Sequence, residues 1–172
     1  MRSRISTPLG RDLLIVGNGE TIVAAGFVPR LRSRSRKASD ALLAEAAAQV
    51  GAYFACKLKR FNLPLAFAGT AFQNAVWQAV AKLEFGEFVS YADVARAVGK
   101  PLAHRGVAAA MASTPIDLFV PAHRVLGADG RVKGAGPQSV RSRLVEFELA
   151  HSNQARTPRF AVSLRRSGRD RR

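Results

Sequence analysis

The sequence predicts two folded units: an α/β unit with a small antiparallel sheet, then a mainly α, winged-helix-like unit. Residues 12–28 contain two apolar runs around an Asn-Gly pair, which is typical of an antiparallel β-hairpin. Beyond residue 70, apolar residues recur at helical spacing in several short segments. With 172 residues, 48% of them hydrophobic, the chain can form one domain or two small ones. We expect units at 1–67 and 68–151, followed by a basic segment at 152–172.

In the N-terminal unit, one helix is predicted to follow the hairpin. Ser39 is expected to be its N-cap, and apolar residues on one face continue to about Leu58, so this face should pack on the sheet. Residues 30–37 alternate arginine with polar residues, which predicts an exposed, mobile loop. The stretch 61–70 contains a proline and a glycine, breaks the helical periodicity and is predicted to be the linker between the units.

Capping residues divide the second unit into short helices. Thr70 is predicted to begin one helix, and Ser90 with Asp93 has the spacing of a capping box that begins another, over 91–98. A helix over 102–113 follows after a turn that contains glycine. Two short helices joined in this way predict a helix-turn-helix.

The end of the chain contains three further predicted features. Residues 128–130, Ala-Asp-Gly, form a turn signal that suggests a small hairpin or wing. A helix over 138–151 is predicted to close the second unit. Residues 152–172 contain seven arginines and one aspartate, so we expect a disordered basic tail.

The charge of the chain indicates a negatively charged partner. Lys and Arg number 27 against 12 Asp and Glu, which gives a formal net charge of +15. Nucleic acid is the first candidate and an acidic membrane surface the second. The alternative is that the charge reflects solubility or proximity to ribosomes and has no specific partner.

The cysteine count and the hydropathy of the chain exclude several other classes of protein. A single cysteine, Cys56, excludes an internal disulfide framework and argues against a thiolate zinc site, so we expect neither a metal nor a cofactor. The first residues lack the apolar run of a signal peptide, and no stretch of 18 apolar residues occurs. We therefore expect a cytoplasmic protein without membrane association, close to the nucleoid if it is bacterial.

The helix over 102–113 consists mainly of very small residues. Val107 and Met111 lie four residues apart and are expected to face the core. The residues expected on the exposed face are Gly106, Ala109, Ala110 and Ser113. Such a face suits close packing against another helix, which is one interpretation. It also suits DNA, because a minor groove is roughly 6 Å wide and a helix with ordinary side chains about 10–12 Å.

Arg105 lies at the start of this small-residue face. A long cationic side chain at that position can enter the base stack and fill the gap that an extruded nucleotide leaves. The backbone amides at the start of the helix are suited to meet a phosphate. We therefore predict that Arg105 is an intercalating finger.

Several sequence blocks, in order, resemble the alkylguanine DNA alkyltransferase family. They are GTAFQNAVWQAVAKLEFGEFVSYADVARAVGKPLAHRGVAAAM, VPAHRVLGADGRVKG and a final helix that contains Glu148, together covering about residues 68–150. STPLG with the hairpin, and AQVGAYF, look like the N-terminal domain of that family. The resemblance implies a three-layered α/β domain and a winged-helix-like domain that binds DNA through the minor groove. Active members flip an alkylated guanine into a pocket, where the cysteine of a Pro-Cys-His-Arg motif receives the alkyl group irreversibly.

Here that motif reads Pro121-Ala122-His123-Arg124, and an alanine methyl group cannot ionise or attack carbon. The resemblance implies that His123 and Glu148 are the retained partners of the missing thiol. It places Cys56 outside every matched active-site block. Arg124 is expected to organise the loop and not to contact a base.

Further roles are carried over by the resemblance. Tyr91 matches a tyrosine that presses on the phosphate of the target nucleotide, and Arg105 matches the family's arginine finger. Thr114 stands where the family usually has Asn, and Gly134 lies where many relatives have a pocket tyrosine, which predicts a wider pocket. The residues predicted to form the lesion pocket are Pro121, Ala122, Val125, Gly134 and Ala135.

These features resemble the alkyltransferase-like members of the family, in which the acceptor cysteine is replaced. The leading hypothesis is a monomer that recognises O6-alkylguanine in duplex DNA, flips it and marks it for nucleotide excision repair proteins. The second hypothesis is an irreversible alkyltransferase whose cysteine was changed to Ala122. A sequence-specific regulator is a third, although the helix over 102–113 carries few side chains able to read base edges.

Overall fold

The computed structural model describes residues 1–30, 40–136 and 138–152. Residues 31–37 of the predicted arginine-rich loop, Ser39 and nearly all of the predicted basic tail, from residue 153 onward, lie outside the described residues. The described part consists of an N-terminal antiparallel sheet with one helix, followed by a helical unit, which is the predicted fold class. None of the helices in these ranges has the length and apolar character needed to cross a membrane.

The N-terminal sheet has three antiparallel strands in the order β1-β2-β3. Their bounds are Arg2–Ser6 for β1, Arg11–Gly17 for β2 and Ile22–Pro29 for β3. The predicted hairpin between β2 and β3 is confirmed, and the Asn18 side chain accepts hydrogen bonds from the backbone N–H groups of Glu20 and Thr21. Gly19 has φ +102°, a conformation that favours glycine in such a turn. Strand β1 was not predicted because its RSRIS sequence contains one apolar residue.

Helix α1 extends over Ala41–Phe54 and packs on β1 and β2, as predicted. The predicted cap at Ser39 is wrong, because the carboxylate of Asp40 accepts a hydrogen bond from the third backbone N–H of the helix. Aspartate and serine are equally good N-caps, so two adjacent candidates could not be separated by residue type. The helix ends at Phe54 and not near Leu58, since Cys56 adopts φ +59°, outside the helical region.

Three short helices begin the second unit: α2 over Ala71–Val80, α3 over Tyr91–Ala97 and α4 over His104–Ala112. The predicted capping residues are confirmed, since Thr70 with Gln73 and Ser90 with Asp93 each form a complete capping box. Helix α4 begins two residues later than predicted and has no side-chain cap. Helices α3 and α4 pack together as the predicted helix-turn-helix, and both contact α2.

The predicted hairpin or wing at 128–130 does not form. Val89–Ser90 (β4) instead pairs in parallel with Val125–Leu126 (β5), and the chain then turns at 127–131. The Asp129 side chain accepts a hydrogen bond from the backbone N–H of Arg131, which closes the turn without a returning strand. Helix α5, Val140–His151, follows and is capped by Ser139.

The two units share one hydrophobic core. Buried residues of the sheet and α1, such as Leu13 and Val50, belong to the same cluster as Val76, Val107 and Leu144 of the helical unit. The segment before the Pro-Ala-His-Arg motif also extends the sheet edge: Ala25 N–H donates to Pro115 O at 2.9 Å, and Asp117 N–H donates to Ala25 O at 2.8 Å. The N-terminal sheet therefore holds the chain that leads into the motif.

A buried carboxylate links the units more directly. Glu148 on α5 is 0% exposed, and its Oε1 lies 2.8 Å from each of Tyr53 Oη, His123 Nε2 and Arg124 Nη2. Its Oε2 accepts from Gly86 N–H at 2.9 Å and from Arg124 Nε at 3.0 Å. Tyr53 lies on α1, so one side chain of the last helix is bonded to the first helix and to the motif.

Replacing this carboxylate should destabilise the protein far more than replacing an exposed one on the same helix. Glu148→Ala removes the partner of a buried guanidinium and should lower the free energy of unfolding by about 3–5 kcal/mol. Glu146→Ala, at an exposed position of α5, should change it by less than about 0.5 kcal/mol. Urea unfolding of both variants measures the difference, and similar losses for the two would contradict the role assigned to Glu148.

Candidate functional site

The Pro-Ala-His-Arg motif forms a short buried segment. Ala122–Arg124 is a single 3-10 turn after Pro121, and its side chains are 3%, 1% and 1% exposed in order. Besides its bonds to Glu148, Arg124 donates from Nη1 to Leu83 O at 2.5 Å. A guanidinium with all these partners inside the protein is not available to a base, so Arg124 organises the loop.

Burial and the charge of Arg124 set the protonation states of this segment. Burial lowers the pKa of His123 and outweighs the attraction of Glu148, so the imidazole is neutral near pH 7. Burial alone would raise the pKa of Glu148, but its bonds to His123 and Arg124 hold that pKa well below the ordinary range. Burial and the nearby carboxylate raise the pKa of Tyr53, so its hydroxyl keeps the proton that it donates to Glu148.

Ala122 and His123 line a cavity of about 260 Å³. Its other lining residues come from β3, from the turn before the motif and from the start of α5: Phe27, Asp117, Leu118, Ser139, Val140, Arg141 and Leu144. The residue at position 122 therefore borders this cavity together with a neutral imidazole. The cavity reaches the N-terminal sheet through Phe27, so both units form its wall.

Of the five predicted pocket residues, Ala122 alone is among the residues that line this cavity. Pro121 is buried, and Val125 is fully buried because it pairs with Val89 in the β4–β5 ladder. Gly134 and Ala135 lie in the loop before α5. Pro121 precedes Ala122 and the other three follow it along the chain, and none of these four is among the residues that line this cavity.

A second cleft of about 560 Å³ lies between the helix-turn-helix and the turn after β5. Tyr91 and His104 line it on one side, and Asp129 and Lys133 line it on the other. Burial raises the pKa of Tyr91, while a backbone hydrogen bond from Lys133 and the charge of Arg141 oppose this shift. Tyr91 thus lies at the first position of α3, half-buried, in the same cleft as the start of α4.

The exposed face of α4 differs in part from the prediction. Arg105, Ala109 and Ser113 are exposed, and Val107 and Met111 are buried, as predicted. The prediction that Ala110 is exposed is wrong. This residue is 1% exposed, and its carbonyl accepts a hydrogen bond from Trp77 Nε1 at 2.8 Å.

Gly106 was also predicted to lie on the exposed face, but it lies against α2. A Cβ at this position would be 3.1 Å from Phe72 Cε1, which is tighter than ordinary contact. Helix α4 packs on α2 as well as on the core below it, and the spacing of Val107 and Met111 predicted only the second contact.

Three residues of the site were not identified from the sequence. Tyr53 lies 95 residues from its partner Glu148, and no local pattern indicates that pairing. Asp117 and Arg141 form an ion pair at 2.9 Å in the cavity wall. A lone aspartate inside the apolar run Ile-Asp-Leu-Phe-Val was the one available signal for this pair.

Cys56 is exposed and lines a different cavity of about 630 Å³, together with Lys59 and Lys82. It is therefore not the missing thiol of the cavity beside Ala122. Within residues 1–30, 40–136 and 138–152, no three His, Cys, Asp or Glu side chains are grouped to hold a metal ion.

The buried neutral histidine makes stability depend on pH. An unfolded histidine binds a proton below about pH 6.5, whereas the pKa of folded His123 is lower, so the unfolded state binds more protons as the pH falls. The free energy of unfolding should therefore fall from pH 7 to pH 5, by up to about 1.4 kcal/mol per pH unit. Glu148 adds a further loss below its ordinary pKa of 4.5.

Urea unfolding at several pH values measures this slope. His123→Asn should flatten it between pH 7 and pH 5, because the other two histidines of the chain, His104 and His151, are exposed. An unchanged slope in the variant would show that His123 is not the titrating group.

Comparison with known proteins connects this geometry to a family. Residues 71–150 match the family described as 6-O-methylguanine DNA methyltransferase, DNA binding domain, and residues 2–67 match its ribonuclease-like domain. The chain is 38% identical over 135 residues to a methylated-DNA--protein-cysteine methyltransferase of Mycobacterium leprae, covering 77% of this chain and 81% of the relative. It is 37% identical over 135 residues to the protein of that name from Methanosarcina barkeri, covering 76% and 84%.

Comparison with a solved structure indicates the same family. The fold matches the Mycobacterium tuberculosis OGT in complex with DNA with a TM-score of 0.73 and 32% identity, over 87% of this chain and 93% of that one. The two matched domains, the relatives and the shared fold together show that this chain belongs to the O6-methylguanine DNA methyltransferase family.

Proposed function

We propose that this protein recognises O6-alkylguanine in duplex DNA and does not transfer the alkyl group. The observation that carries the proposal is Ala122 in the wall of the cavity beside His123. Relatives are named for transfer to a protein cysteine, and an alanine methyl group has no electron pair with which to attack carbon. The only cysteine of the chain, Cys56, is exposed beside another cavity.

Binding to DNA is supported by charge and by the shape of α4. The formal charge of +15 favours any duplex through neutralisation of phosphates. Ala109 and Ser113 leave the exposed side of α4 close to bare backbone, which allows close approach to a groove. The M. tuberculosis relative was solved in complex with DNA.

Two side chains support base flipping as part of this proposal. Arg105 is exposed at the start of α4 and can fill the gap in the base stack. Tyr91 lies in the cleft that His104 also lines, where a rigid ring can press on the backbone of the flipped nucleotide. The guanine would then direct its O6 group toward Ala122.

A protein that holds a lesion without changing it serves as a mark for other factors. We propose that it acts as a monomer and that nucleotide excision repair proteins respond to the bound lesion. Extrusion of a badly paired base costs less than extrusion of a normal one, which supplies part of the discrimination.

The second candidate function is alkyl transfer in a form whose cysteine was replaced by Ala122. The retained bond of His123 to Glu148, at 2.8 Å, favours it, because a transferase needs the same pair. Thr114 and Gly134 also differ from the residues usual in the family, which favours recognition without transfer, since a single replacement would leave them unchanged.

The full-length chain should bind duplex containing O6-methylguanine about tenfold more tightly than the unmodified duplex at the same salt concentration. After incubation with duplex carrying a labelled methyl group, the protein should have an unchanged mass. Fluorescence anisotropy and mass spectrometry test the two parts. Equal affinities would reject lesion recognition, and a covalently methylated chain would reject the absence of transfer.

Arg105→Ala should impair extrusion more than general attachment to DNA. It removes the stack-filling side chain but leaves nearly all of the 27 lysines and arginines in place. A fluorescent base analogue opposite the lesion reports extrusion, and binding to unmodified duplex reports attachment. Arg60→Ala removes one exposed positive charge outside the helix-turn-helix and serves as the control. Equal effects of the two variants on extrusion would contradict the role of Arg105.

A further inference from the structure

The wall of the cavity beside Ala122 contains an ion pair. Arg141 Nη2 lies 2.9 Å from Asp117 Oδ1, and the two side chains are 26% and 32% exposed. Both residues line the cavity, together with the apolar residues Phe27 and Leu144. The space next to position 122 is therefore bounded by charged as well as apolar groups.

Both members of the pair are held by the fold. Asp117 donates its backbone N–H to Ala25 O of β3 at 2.8 Å, and the next residue, Leu118, is buried with φ +73°. A leucine in the left-handed region is strained, so the surrounding contacts must fix this turn. Arg141 lies in the first turn of α5, whose start is fixed by the Ser139 cap. The carboxylate and the guanidinium are thus presented from two anchored segments.

Among the described residues, the pair keeps hydrogen-bonding capacity beyond the single bond that joins it. A guanidinium has five N–H donors and a carboxylate has two acceptor oxygens, while the bond between Arg141 and Asp117 joins one nitrogen to one oxygen. A hydroxyl group can donate to a carboxylate and accept from a guanidinium at the same time. An apolar group in the same place would displace water from the pair without replacing its hydrogen bonds. An anionic group would be repelled by the negative charge of Asp117.

Building on the function proposed above, we propose that the Asp117–Arg141 pair selects O6 adducts that carry a terminal hydroxyl group over apolar adducts of equal length. The adduct extends from O6 past Ala122 into the cavity and places its hydroxyl between the two charged groups. Three added heavy atoms need roughly 90 Å³, if each takes the volume of a water molecule, and the cavity has about 260 Å³. Asp117 and Arg141 are therefore specificity-determining residues of the lesion site.

The test compares two duplexes that differ in one atom of the lesion. O6-(2-hydroxyethyl)guanine and O6-propylguanine carry substituents of three heavy atoms, and duplexes with O6-methylguanine and with guanine complete the set. The full-length chain should bind the hydroxyethyl duplex about tenfold more tightly than the propyl duplex, as expected for hydrogen bonds to charged partners. This comparison needs no variant and so does not depend on the folding of one.

Variants test whether the preference for the hydroxyethyl duplex arises from the Asp117–Arg141 pair. Asp117→Leu with Arg141→Met replaces both charged groups by apolar ones of similar size and should abolish or reverse the preference. Arg96→Met removes one exposed arginine from α3, away from the cavity lining, and should keep it.

The outcomes separate this inference from the function on which it rests. If the methyl duplex is bound more tightly than the unmodified one but the hydroxyethyl and propyl duplexes are bound equally, the inference is wrong and lesion recognition stands. A hydroxyethyl preference that survives in the double variant also overturns the inference. If no modified duplex is preferred, both proposals fail.

Discussion

The geometry of the site depends on one constraint, which is that the buried carboxylate of Glu148 must be surrounded by hydrogen-bond donors. A carboxylate that is fully removed from water is tolerated only when its oxygens are bonded, and Glu148 receives bonds from Tyr53, Arg124 and the backbone of Gly86. These donors belong to α1, to the motif and to the turn after α2. Because every donor must reach the same two oxygens, the anion fixes the positions of these elements relative to α5.

This constraint also gives His123 and Glu148 a use that does not involve a thiol. The imidazole is buried and neutral, lies 2.8 Å from Oε1 and forms part of the wall beside Ala122. Without it, one oxygen of the carboxylate would lose a partner, and the wall would lose its shape. The pair can therefore be retained in a chain that binds and does not react, which is why its presence does not by itself decide between the two candidate functions.

Features that depend on a few neighbouring residues could be predicted from the sequence, and those that depend on distant ones could not. The cap at Thr70 and the capping box at Ser90 each depend on no more than four neighbouring residues, and they were predicted. The bond between Tyr53 and Glu148 and the cavity wall at Asp117 arise only when the two units pack. The family resemblance located Ala122 in the motif, but it could not show which neighbouring side chains share its cavity.

For the small residues of helix α4, the packing interpretation is correct on one side of the helix, and the DNA interpretation stays a prediction for the other side. On one side, Gly106 lies against Phe72 and Ala110 is buried beside Trp77, so small residues there allow α4 to pack closely on α2. On the other side, Ala109 is exposed. A small residue at this exposed position fits the DNA contact proposed above. Arg105, at the start of this surface, can reach past a backbone that a DNA groove can approach closely.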